Sequence, residues 1–290
     1  AIFTEPNNTT KFSEVPKLNV EVSPGKVLDG IGKFVEDIIE PVEDSDAVVE
    51  VLKSSGAEIL VNLLPVGSDD AVKFYADCAI DAGVGFINCI PVFIARDKSW
   101  YQKFADNNVP LIGDDIKSQV GATIVHRALA QLFSDRGINL KRSYQLNVGG
   151  NMDFLNMLEE DRLQTKRTSK TTSVTSVANK GKGMEEGTVR IGPSDYVEWL
   201  EDRKKAFIRL EGEAFGGVPL NIELQLEVWD SPNSAGVVID AIRYMKFFAM
   251  KKDLKSLDLV SAWLMKAPAE AAKDSETLKK LHELTHVDSK

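Results

Sequence analysis

Apolar residues come in two rhythms along this chain, and the change between them divides it. Residues 58–64 form a short, almost unbroken apolar run, the pattern of a strand buried on both faces. Pro65-Val66-Gly67-Ser68 ends it. Ser68 suits a helix N-cap, and Asp69 and Asp70 suit a first helical turn. From Ala71 to Ala82 the spacing is helical, with Val72, Tyr75, Ala76 and Ala79 on one face, and Gly83 stops it. Residues 85–90 predict a second strand, ended by Pro91. A helix over 99–106 leads to a third strand at 109–112. Strand, helix, strand, helix, strand with short connections implies right-handed crossovers and a doubly wound parallel sheet.

Gly113-Asp114-Asp115-Ile116-Lys117-Ser118 then reads as a turn. A helix is expected over 119–133, ending near Gly137, and a strand over 144–148, closed by Gly149-Gly150-Asn151. Lys180-Gly181-Lys182-Gly183 reads as a loop and the most insertion-like stretch. Beyond it the rhythm changes. Residues 206–214 and 220–229 alternate with period two around Gly216-Gly217, as an antiparallel pair does. Helical spacing returns over 234–250 and from 259 to the end. An α+β portion therefore follows the α/β portion, with no internal repeat.

Bulk properties narrow the function. The 290 residues are 43% apolar, enough for one large or two ordinary domains. Asp and Glu outnumber Lys and Arg by 44 to 35, for a net charge of −9. That disfavours a general nucleic-acid binder, whose backbone contacts need clustered cations. No apolar run reaches the roughly 18–20 residues that span a bilayer, so no membrane partner is expected. Cys78 and Cys89 both lie in apolar segments and point to a reduced, cytoplasmic protein without a disulfide framework.

Four stretches place polar residues at strand ends, where open α/β sheets bind ligands. Residues 113–118 lie between a strand and a helix N-terminus, whose N–H groups attract phosphate; a simple helix cap explains Asp115 or Ser118 equally well. Asn147 to Asp153 contains two glycines that let a ligand approach the backbone, with Asn151 and Asp153 beside them; a plain turn has the same look. Lys166 and Lys170 are four apart, and crowded ammonium groups lower one another's pKa; a solvated charged face is the plainer reading. The same holds for residues 201–205. Asp230 follows a strand, and Lys266 sits in an apolar setting. His282 and His286, four apart, lack a third metal ligand nearby in sequence. No Gly-x-Ser-x-Gly elbow is present, and Gly30-Ile31-Gly32 lacks the third glycine of a dinucleotide loop.

Taken in order, eight motifs resemble those of inositol-1-phosphate synthases of the shorter archaeal and bacterial type. They are residues 62–68, 88–91, 113–118, 147–153, 166–170, 202–204, 230–234 and 263–268, and they cover nearly the whole chain. The resemblance implies an α/β fold: a Rossmann-like doubly wound parallel sheet, incomplete at its N-terminal end, plus an α+β second domain whose sheet serves oligomerisation. Residues 1–116 would form the NAD-binding domain, 117–230 the catalytic and tetramerisation domain, and 231–290 helices returning to the first. It implies oxidation of glucose 6-phosphate at its fifth carbon with NAD, enolisation at the sixth, attack on the aldehyde carbon, and return of the hydride. Such chemistry needs cations in a dry pocket to hold oxygen charge and pass protons.

Carried over by position, the catalytic residues fall on Lys166, Lys170, Lys204, Lys266, Asp115, Asp153 and Asp230. Ser118, Asn151 and Lys204 would bind substrate, with Ser118 at the phosphate. Asn62, Pro65, Asn88, Asp115 and Asp230 would border the cofactor. Asp115 is the first candidate ligand for a divalent cation such as Mg, Mn or Zn. A homotetramer is implied. The family's first strand and glycine-rich loop match no segment here, so the chain is expected to be part of a longer protein. Two other readings remain at this stage: another two-domain NAD(P)-dependent sugar or amino-acid-pathway dehydrogenase, or a non-catalytic homologue.

Overall fold

A computed structural model describes residues 22–34, 47–158, 171 and 173–285. Three parallel strands, β1 (Ile59–Asn62), β2 (Gly85–Asn88) and β3 (Leu111–Ile112), form a sheet in the order β1-β2-β3. Along the strands, successive side chains go to opposite faces. Phe86 and Leu111 enter one core, against helices α1 (Val48–Ser54), α2 (Asp69–Ala82) and α3 (Lys98–Asp106). Ile87 and Ile112 enter a second core, made with the late helices α6 (Asp230–Met250), α7 (Leu257–Leu264) and α8 (Asp274–Thr285). The sheet is thus covered on both faces, one by early helices and one by late ones.

A second, mixed sheet of four strands runs β5-β4-β6-β7. Its members are β4 (Asn139–Gly149), β5 (Val189–Tyr196), β6 (Arg203–Glu213) and β7 (Pro219–Trp229). The expected antiparallel pair is β6 and β7, in register from Arg203↔Trp229 to Glu213↔Pro219. Helix α4 (Ala122–Asp135) packs on this sheet, with Ala130 and Phe133 against Leu140, Ile208 and Leu210. A short helix α5 (Met152–Asn156) follows β4.

Several local expectations shift. Ser68 occupies the N-cap of α2 but makes no capping bond. The Asp29 carboxylate, from far back in the chain, takes the N–H groups of Asp70 (2.7 Å) and Ala71 (2.9 Å) instead. Helix α4 begins three residues later than expected, because Gln119 and Val120 give their N–H groups to Asn233. The last helical stretch is two helices. Between them the chain is extended at Met265, which bridges Ile116. The expected loop at 180–183 is in part a 3-10 turn held to α4, with the Lys180 N–H on Ser134 Oγ at 2.6 Å. Among the described residues, no helix is long and apolar enough to cross a membrane, and both cysteines are buried free thiols.

Candidate active site

A cavity of about 400 Å³ lies beyond the carboxyl ends of β1 and β2 and reaches the start of β6 and α6. One wall is apolar: Leu63, Leu64, Pro65 and Val66 after β1, Ile90 and Pro91 after β2. The lining also carries Asp115, which bonds the Ile90 carbonyl through its N–H, and Ser118, Asp153, Lys204, Asp230 and Lys266. Six of the residues expected from sequence therefore meet in one place, together with Pro65. Lys166 and Lys170 lie outside the described residues.

Two lysine–carboxylate pairs dominate. Lys266 Nζ donates to Asp115 Oδ1 at 2.7 Å, with both side chains largely buried. Lys204 Nζ donates to both oxygens of Asp230, at 3.0 and 3.3 Å. Burial works against the Lys204 charge, but the Asp230 carboxylate, with Asp153 and Asp115 behind it, holds its pKa above the usual lysine range. The ammonium also lies 5.7 Å from the centre of the Phe154 ring. Lys204 is thus a cation held charged by three carboxylates.

The Lys266–Asp115 pair is fixed by backbone. Residues 114–117 and 264–267 zip together: Lys266 N–H to the Asp115 carbonyl (2.7 Å), Lys117 N–H to the Leu264 carbonyl (2.8 Å), and reciprocal bonds between Asp114 and Ala267. Lys117, which sequence reasoning missed, fastens the joint. Its buried Nζ donates to the carbonyls of Ala262 and Trp263 at 3.0 and 2.9 Å, closing the last turn of α7, and reaches Asp274 at 3.3 Å. Burial pulls its pKa down to about 8. Asp114, also missed, is fully buried and accepts from Asn88 Nδ2 and from the N–H groups of Ile94, Ala95 and Arg96. Burial pushes its carboxyl up to about 7 against those four bonds, which favour the anion. The only sequence signal for either was membership of the 113–118 motif.

Other expected residues serve from behind the wall. Asn62 and Asn88 are buried at the ends of β1 and β2, and Asn62 Nδ2 donates to Asn88 Oδ1 at 2.8 Å. Asn62 Oδ1 accepts the Leu64 N–H and so sets the wall's backbone. Neither is among the residues lining the cavity. The same is true of Asn151, which caps α5 through Phe154 N–H and donates to Asp202 at 3.1 Å. The neighbouring glycines fit the plain-turn reading. A Cβ on Gly149 would meet the Phe154 ring at 2.4 Å, and one on Gly150 would meet Val197 O and Glu201 N at 2.5 Å. What approaches this turn is the protein's own structure.

Ser118 Oγ lies 3.2 Å from Ser234 Oγ. Gly121, Ala122 and Thr123, at the start of α4, line the cavity beside it. First-turn N–H groups have no partner within their own helix and favour an anion. For the divalent cation, no three His, Cys, Asp or Glu side chains come together among the described residues. Asp115 is engaged by Lys266, so these residues alone do not make a metal centre.

The family model for myo-inositol-1-phosphate synthase matches residues 121–231. The inositol-3-phosphate synthase of Mycolicibacterium smegmatis is 58% identical over 279 residues, covering 94% of this chain and 76% of the relative. The chain belongs to the myo-inositol-1-phosphate synthase family. The Mycobacterium tuberculosis inositol-3-phosphate synthase is 56% identical over 98% of this chain and 77% of its own length. Among solved structures, Ari2 matches with TM-score 0.69 at 34% identity over 98% of this chain and 78% of that one. The inositol-3-phosphate synthase of Caenorhabditis elegans shares the synthase family's fold, with TM-score 0.72 at 17% identity over 90% of this chain and 62% of that one.

Proposed function

We propose that the cavity is the active site of an inositol-3-phosphate synthase, which turns glucose 6-phosphate into a myo-inositol phosphate with NAD. One observation carries this reading: Lys204 and Lys266, far apart in sequence, each with its own carboxylate, face one cavity. A simple alcohol dehydrogenation needs a single acid–base group. A reaction that makes an enolate and closes a carbon–carbon bond needs cations at more than one oxygen.

The residues present suit a nicotinamide. Leu64 and Pro65 offer apolar lining beyond a parallel strand, and Asp115 and Asp230 line the same cavity. NAD held there by Leu64, Pro65, Asp115 and Asp230 would supply reversible hydride transfer. The chain's own groups do the rest. Lys266, hydrogen-bonded to Asp115, is placed to exchange the proton of the hydroxyl that becomes a ketone. Lys204, held charged, stabilises the enolate oxygen and the oxygen of the attacked aldehyde. Asp153 and Asp230 orient Lys204 and the sugar hydroxyls. Ser118 and the first turn of α4 receive the phosphate. Asn62, Asn88 and Asn151 act through the walls they hold. Lys166 and Lys170 enter by family resemblance alone.

In the same reading, the parallel sheet and the mixed sheet belong to the cofactor domain (1–116) and the catalytic domain (117–230), with 231–290 returning to the first. The mixed sheet is the tetramer surface, supported by the fully exposed Phe215 at the β6–β7 tip. Free thiols suit the cytoplasm.

The test is to mix the full-length protein with glucose 6-phosphate and NAD. Periodate-releasable phosphate should accumulate while NADH absorbance stays flat. Steady NADH growth would replace this reading with a dehydrogenase, and neither turnover nor NAD binding would replace it with a non-catalytic homologue.

A further inference from the structure

We infer that Asp202 is a positioning residue, which holds Asp230 on Lys204 by tying the turn after β4 and the start of α6 to the residue before β6. The inference rests on the catalytic reading of Lys204.

Asp202 has no solvent exposure and immediately precedes β6. Its Oδ1 accepts from Asn151 Nδ2 at 3.1 Å and from Ser231 Oγ at 2.8 Å, and its Oδ2 accepts the Ser231 N–H at 3.0 Å. Its own carbonyl accepts the Asp230 N–H at 2.9 Å. One residue thus holds the turn after β4, through Asn151, and the first two residues of α6, Asp230 and Ser231, which follow β7 directly. Asp230 is held on both sides of its Cα, by its own N–H and by that of the next residue. Its carboxylate is then left with a defined reach to Lys204, which lies two residues beyond Asp202 on the paired strand.

The hydrogen bonds to this carboxylate come from neutral donors, Asn151 Nδ2 and the N–H and hydroxyl of Ser231. Burying an anion on such terms is costly, and simple packing does not require it. The chemistry of the donors does require an acceptor-only side chain. Two N–H groups and a hydroxyl converge on it, and an amide of the same size would turn a donor toward one of them. Asp202 is not among the residues lining the cavity, so it acts through Asp230 and not on the substrate.

Asp202→Asn keeps the volume and breaks one link. The expected result is a fall in kcat of about 10–100-fold, the size of effect produced by a small misplacement of a reacting group, with KM for glucose 6-phosphate little changed. With Asp230 loosened, Lys204 loses the partner that opposes its burial. The basic limb of the kcat–pH profile should therefore move to lower pH. A second readout needs no turnover: in the full-length protein without substrate, an amine-directed acylating reagent followed by peptide mass spectrometry should label Lys204 several-fold faster in the variant. Wild-type labelling together with an unmoved basic limb would overturn the proposal. Labelling that rises in a protein with no synthase activity would uphold the Asp202 link and sink the functional reading instead. Ser231→Ala removes only the hydroxyl link and guards against misfolding of the first variant. It should shift labelling in the same direction by less, and the double variant should be non-additive, as members of one network are. If Ser231→Ala and Asp202→Asn add independently, the link from Asp202 to the start of α6 does not exist and the proposal falls.

Discussion

At the scale of single residues, charge and burial decide roles. Lys204 is the clearest case, because burial works against its charge and three carboxylates outweigh that. Lys204→Met removes the charge and leaves a similar stem. It should abolish cyclisation, with phosphate release falling by at least about 10²–10³-fold, the range seen when one preorganised oxyanion contact is lost. Circular dichroism should be unchanged; wild-type turnover would remove Lys204 from the mechanism. His126 shows the opposite balance. It is fully buried between Ser143 and Gln145, at 2.5 and 3.3 Å, and burial pulls its pKa down from 6.5 to about 4. The unfolded chain then binds the proton more readily than the folded one. This stabilisation is complete above pH 6.5 and is lost as pH falls toward 4, at up to about 1.36 kcal/mol per pH unit. Urea midpoints of His126→Gln should fall less steeply than wild type across that interval.

At the scale of elements, turns carry the precision. The run Gly149-Gly150-Asn151 was legible as a turn, and its glycines also left space for a ligand. The 3-10 turn at Glu198–Leu200 takes that space, and nothing local in sequence marks a contact between segments some fifty residues apart. Gly150→Ala would drive a Cβ into the backbone at Val197 and Glu201. Backbone atoms have no rotamer to yield, so the turn must shift, at a cost of about 1–3 kcal/mol or more. Denaturant unfolding should show that loss, and activity should fall with it because Asp153 rides on the same turn. A variant of wild-type stability would mean that this contact is looser than it looks. The capping of α2 makes the same point. Sequence points to Ser68, the adjacent polar residue, whereas Asp29 supplies the acceptor from far away.

At the scale of the whole molecule, the site exists because two sheets meet. The parallel sheet offers the apolar wall, the start of β6 offers Lys204, and the segment between α7 and α8 offers Lys266. The hairpin of β6 and β7 stands out from this meeting point with Phe215 fully exposed and Val218 59% exposed at its tip. Large apolar groups at such a tip suit a subunit contact. Sedimentation equilibrium of the full-length protein should give four times the subunit mass. Phe215→Ser should weaken that assembly without unfolding the protein, and a monomer in the wild type would end the tetramer reading.

Periodicity was enough to specify the α/β portion, the later α+β portion and the antiparallel β6–β7 pair, because burial of one or both faces writes itself into alternating and helical spacing. Motif order was enough to specify the family. Strand β5 escaped, since its polar, Pro-containing run has no clean alternation. The break between α7 and α8 escaped too, although Pro268 marks it locally; its extended form is set by pairing with residues 114–117. Tertiary structure alone decided that Lys204 and Lys266 share a cavity, that Asn62, Asn88 and Asn151 work from behind its walls, and that Lys117, Asp114 and Asp202 hold it in shape. A hydrogen bond between distant segments leaves no periodic trace in either one, so only the folded chain reveals it.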